Sequence, residues 1–124
     1  MPDGDWLGVT SAEAASLRVR TVGPVLAAAV LVSGALDALT TLAGLRAGLR
    51  ETNPLARLAF AELGIGVTLV ARVVLPFVLF ACVMYWAARR DRRLFVLTAA
   101  AVTFSVACWL TASANNLVAL ASAR

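Results

Sequence analysis

Two charged residues stand inside long apolar runs, Asp37 and Arg72. A carboxylate and a guanidinium in such places can pair with each other, hold a small cation or bind a phosphate. Thr41, Glu51, Asn53, Asn115 and Asn116 are further polar side chains in or close to the apolar runs. The oxygens of Asp37, Glu51, Asn53 and Asn115 suit Na⁺, Mg²⁺ or Ca²⁺ better than zinc. Arg72 opposes that use, because its guanidinium competes with a cation for the same carboxylate. Asp37 and Glu51 are the carboxylates placed for acid–base work, and Arg50, Arg57 and Arg72 are the groups a phosphate would meet. No nucleophile–base pair, glycine-rich phosphate cradle or metal motif of specific spacing accompanies them. All eleven basic residues are arginine, so Schiff-base chemistry through lysine and acid–base or metal work through histidine are both excluded. The expectation is therefore a polar cluster with no catalytic residue, no metal and no cofactor.

The elements that carry these residues follow from composition. The chain has 124 residues, 61% hydrophobic and 15% charged, with a mean hydropathy of +0.87. Soluble domains are nearer half apolar and a quarter charged, and disordered chains lack these aliphatics. The composition gives an all-α integral membrane bundle. Its net charge of +4 does not indicate nucleic acid, because the arginines bracket apolar runs and form no basic face with interleaved aromatics.

Three transmembrane helices are expected, at about 21–45, 65–88 and 94–121, in a domain running from 21 to 124. Each is long enough for a hydrocarbon core of about 30 Å at about 1.5 Å per residue. A secretory signal ending at Ser33-Gly34-Ala35 competes for the first run, but the apolar stretch continues well past that site. Residues 1–20 form a cytoplasmic segment, in which Ser11 starts a short helix or the chain stays irregular, with Trp6 or Leu7 on the bilayer surface. Pro24 is read near the start of span one, where a missing N–H is harmless. Asn53-Pro54 predicts a turn and then a short interfacial or re-entrant helix at about 54–63, ended by Gly64 or Gly66. Pro76 falls inside span two and denies a hydrogen bond to the Arg72 carbonyl. Cys82 and Cys108 read as small buried hydrophobes.

Orientation fixes where the polar residues lie. Arg18, Arg20 and the Arg89-Arg90-Asp91-Arg92-Arg93 connector place six arginines on one face, against Arg46, Arg50, Arg57 and Arg124 on the other. The positive-inside rule then puts the N-terminus in the cytoplasm and the C-terminus outside the cell membrane. Asp37, Arg72, Asn115 and Asn116 all fall toward the outer ends of their spans, level with Glu51 and Asn53. On span one, Ser33 or Gly34, Asp37, Thr41, Gly44 and Gly48 recur at helical spacing as a small and polar stripe. On span three either Cys108, Thr111 and Asn115 or Ser105, Ala112 and Asn116 face it.

The run Asp37-Ala38-Leu39-Thr40-Thr41, then Gly48, then Glu51-Thr52-Asn53-Pro54-Leu55, resembles a widespread family of small archaeal and bacterial membrane proteins. That family is defined only as a domain of unknown function. The resemblance covers most of residues 30–120 and assigns corresponding places to Gly64 or Gly66, to Arg72, and to Asn115 or Asn116. Where the family often has lysine this chain has Arg72. The resemblance implies a fold and a polar cluster, and lends no activity.

Three functions are compatible with these residues. The favoured one is a non-catalytic structural or accessory component, packed in the lipid bilayer against copies of itself or a larger membrane partner. The second is cation binding or transport as a homo-oligomer. The third is a lipid-acting intramembrane enzyme.

Overall fold

A computed structural model describes residues 10–122, all but a few of which are helical. Four helices follow in order: α1 (Ser11–Arg46), α2 (Pro54–Leu63), α3 (Ile65–Arg90) and α4 (Arg92–Ser122). Three of them are long and apolar enough to cross a membrane, over Arg20–Arg46, Ile65–Arg90 and Arg92–Ser122. The fold is an all-helical bundle of three spanning helices and one short helix. Trp6, Leu7 and Arg124 lie outside the described residues.

Helix α1 starts earlier than the apolar run does. Thr10 caps it with Glu13 in a reciprocal box: the Glu13 N–H donates to the Thr10 hydroxyl and the Thr10 N–H donates to the Glu13 carboxylate at 2.7 Å. Ser11 therefore opens a continuous helix of 36 residues, about 54 Å long, and not a separate short one. Pro24 consequently sits in the helix interior, where it withholds the N–H that would bond to the Arg20 carbonyl. Helix α1 ends where Gly48, at φ +84°, lets the chain turn back. The Leu49 N–H then donates to the Gly44 carbonyl and the Gly48 N–H to that of Leu45. Gly48 thus terminates the helix and does not extend the stripe of small residues, whereas Gly44 is buried within it.

The breaks between the later helices are single residues. Gly64, at φ 82°, ends α2 and begins α3. Asp91 is extended at φ −156° and separates α3 from α4. The arginine-rich connector is thereby almost wholly helical: Arg89 and Arg90 finish α3, and Arg92 and Arg93 open α4.

α1 packs on both α3 and α4, α3 packs on α4, and α2 touches α3 alone. α3 runs back along α1, and α4 returns parallel to α1. The bundle divides along its length. Toward the start of the spans in α1, Val30, Met84, Ala88, Phe95 and Val102 form a buried apolar cluster, flanked by Leu26, Phe80 and Trp109. Toward its end the buried side chains are polar: Ser33, Asp37, Thr40 and Thr41. On α4 the inward residues Phe95, Val102, Trp109 and Asn116 fall at every seventh position, the period of a helix that keeps one face on its neighbours. Cys82 and Cys108 are exposed on the outer faces of α3 and α4, contrary to the buried reading; an apolar solvent removes the need to bury them.

Candidate functional site

The end of α1 collects the polar groups of all three spans. Asp37 is 1% exposed, and the Arg72 guanidinium reaches its Oδ2 from α3 at 3.0 Å through Nη2. Gly34, one turn before Asp37, packs against Val73, and a Cβ there would make an ordinary contact of 3.7 Å with the nearest Val73 methyl. Arginine and aspartate meet most strongly as a bidentate fork. Here contact is through one nitrogen, and among the described residues neither Asp37 oxygen nor Arg72 Nη1 makes a hydrogen bond although all three are buried. Pro76, one turn beyond Arg72, interrupts the helical bonding of that segment.

From α4, Asn116 Nδ2 donates to both the Thr40 and the Thr41 hydroxyls, each at 3.2 Å. One amide nitrogen has two hydrogens, so a single side chain serves both acceptors. The Thr40 hydroxyl in turn donates to the Asp37 carbonyl at 3.1 Å. Of the two α4 stripes open from sequence, the one with Ala112 and Asn116 faces inward, and Cys108, Thr111 and Asn115 are exposed. Asn115 instead helps line a pocket of about 330 Å³ together with Thr41, Gly44, Arg50, Glu51 and Asn116.

Glu51 and Asn53 have local tasks. The Asn53 N–H donates to Glu51 Oε1 at 2.9 Å, and the Leu55 N–H donates to Asn53 Oδ1 at 3.0 Å. Asn53 is the N-cap of α2, with Pro54 at the first helical position, where its missing N–H would have no partner anyway. Glu51 also lines the pocket that Thr40, Thr41 and Asn116 border, so it joins the cap to the cluster.

Thr68 was missed by sequence reasoning. Its hydroxyl lies 3.0 Å from the Ala59 carbonyl of α2 and 2.8 Å from that of Gly64, and the residue is 9% exposed. A threonine one turn after a helix-breaking glycine was the available signal, because its hydroxyl can accompany the carbonyls that end the preceding helix.

The arrangement defines a class: a small multi-span helical membrane protein whose three spans are joined by a buried polar layer. The chain belongs to the family defined as a domain of unknown function, DUF5658, whose model matches residues 28–121. That range takes in Asp37, the Glu51-Thr52-Asn53-Pro54 cap, Arg72 and Asn116. No curated protein and no solved structure matches the chain.

Proposed function

We propose that this membrane protein is a non-catalytic structural or accessory component of the cell membrane. Its N-terminus is cytoplasmic, its C-terminus is extracytoplasmic, and its polar layer lies near the outer face. It assembles with copies of itself or with a larger membrane protein. One observation carries this reading: polar side chains of different spans meet in pairs, Asp37 with Arg72 and Asn116 with Thr40 and Thr41. Polar groups used this way hold helices together in an apolar solvent that supplies no hydrophobic drive. The outward faces of α1, with Leu31, Val32, Leu36 and Leu39 exposed, are left for lipid or a partner helix.

A second reading, cation binding, is favoured by the absence of hydrogen bonds to either buried Asp37 oxygen. Thermal stability in mild detergent with and without Na⁺, Mg²⁺ or Ca²⁺ separates the two, because a homo-oligomer fits both. No cation response is expected of the structural component, alongside a stable homo-oligomer or a stoichiometric complex. A thermal stability that rises with one of these cations, and loses that response in Asp37→Asn, overturns the first reading. Reaction of Ser122→Cys with an impermeant thiol reagent only from the cytosolic side overturns the orientation.

A further inference from the structure

At the end of the bundle away from the polar layer, a half-open cleft of about 260 Å³ lies between α1, α3 and α4. Gly23 and Ala27 on α1 and Ala81 on α3 are among its lining residues, and their side chains are too short to fill it. Phe80, Tyr85 and Phe95 supply its walls, which are almost entirely apolar. The volume falls short of the roughly 300 Å³ at which pockets for drug-sized ligands begin, so the occupant is slender.

Arginines cluster at this end of the helices. The Arg89 guanidinium lies over the ring of Tyr85, itself a wall of the cleft, 4.2 Å from the centroid. Arg90 lies over Trp86 at 5.7 Å. Arg20 precedes Gly23 by one turn of α1, and Arg92 precedes Phe95 by one turn of α4. Asp91 is the one carboxylate in the 89–93 stretch, so the charge there is net positive.

We propose that the cleft holds one acyl chain of an anionic phospholipid, with its phosphate against Arg89 and with Arg20 and Arg92 adding to the field. Cleft and charge have different roles. An acyl chain leaving bulk lipid for an apolar cleft gains no hydrophobic free energy, since lipid tails are equally apolar. Selection therefore rests on the arginines, which attract a net negative headgroup and not a zwitterionic one. The stacked Tyr85 fixes the guanidinium beside the opening while leaving its N–H groups free for phosphate oxygens.

The test is native mass spectrometry of the full chain released from nanodiscs of equimolar phosphatidylglycerol and phosphatidylcholine. The unaltered chain is expected to retain phosphatidylglycerol about tenfold over phosphatidylcholine. Arg89→Gln should bring that ratio below about twofold, and Arg57→Gln, at the other end of the bundle, should leave it unchanged. Ala81→Phe, which fills the cleft, should lose retained lipid altogether. Where that variant does not fold, Ala27→Leu obstructs the same space from α1. Equal retention of both lipids by the unaltered chain overturns the proposal, as does undiminished selectivity in Arg89→Gln. A lipid-free dimer, with a second copy covering the cleft, overturns it too.

Discussion

Arg72 on α3 meets Asp37 on α1 through one guanidinium nitrogen at 3.0 Å, and the carboxylate is almost wholly enclosed while 30% of the arginine side chain stays exposed. The asymmetry sets the consequences of breaking the pair. A carboxylate left alone has no solvent to turn to, whereas the arginine can extend its head toward the bilayer surface.

Arg72→Leu should cost about 3–5 kcal/mol of bundle stability, because it strands a buried carboxylate, and Asp37→Ala should cost less, because the freed arginine is 30% exposed and can reach the bilayer surface. The double variant Asp37→Ala with Arg72→Leu should be less damaged than Arg72→Leu alone, and its loss should be well short of the sum. Thermal or denaturant unfolding of all three in one detergent gives the comparison. Strictly additive losses would show that the two residues do not interact.

The two asparagines of α4 should behave oppositely. Asn116→Leu removes two hydrogen bonds to α1 and leaves the Thr40 and Thr41 oxygens without a donor from α4. Membrane hydrogen bonds average about 0.6 kcal/mol each, so the expected loss is roughly 1 kcal/mol. Asn115→Leu, on the exposed face, should leave stability unchanged. Comparable losses in both would mean that α4 is rotated from the orientation described.

Much of this was legible in the sequence. Apolar runs bounded by arginine located the three spans, and the matched depths of Asp37 and Arg72 located their pair. What escaped were features set by backbone geometry. The Gly44 and Gly48 spacing resembles a packing stripe, yet only Gly44 packs, because Gly48 turns the chain at positive φ. The choice between Asn115 and Asn116 needed the rotation of α4, which the interval from Phe95 fixes only once packing shows Phe95 to be buried. The full length of α1 hung on Thr10 and Glu13, whose capping relation is local and was obscured by the polar tail around it.

The glycines give a test free of packing. A Cβ at Gly48 or Gly64 would meet nothing within 4 Å, so any penalty there comes from positive φ alone. Gly48→Ala should cost about 1 kcal/mol, with Gly48→Asn less harmful, and Gly64→Ala about 1–3 kcal/mol, because φ 82° with ψ 155° is a conformation essentially only glycine adopts. Gly66→Ala, inside α3 and equally open, should stabilise by about 0.5–1 kcal/mol. Melting curves of the three alanine variants decide it, and equal effects at Gly48 and Gly66 would refute the assignment of the turn.

Thr68 fastens α2 to the start of α3 through one hydroxyl near two carbonyls. Helix α2 has no buried residue of its own, so little else in the chain holds it. Thr68→Val keeps the shape and removes the donor. Amide exchange across residues 55–63 should accelerate while exchange in the middle of α3 stays slow. Unchanged exchange in α2 would mean that its position is set by the bilayer and not by this bond.

The start of α1 should respond to acid. The Thr10 backbone N–H, and after it the Thr10 hydroxyl, hold the Glu13 carboxyl below the usual glutamate value. A pKa lowered on folding gives stability that is complete above the unfolded value and is lost as pH falls through the folded one. The first turn should therefore stay intact at neutral pH and fray in acid, at a pH below that at which free glutamate titrates. Amide shifts of Thr10 and Glu13 followed through an acid titration measure it. Thr10→Ala removes the hydroxyl but keeps the backbone donor, so it should move the Glu13 midpoint only part of the way toward the free value. A full return would place the hydroxyl, not the backbone N–H, at the centre of the cap.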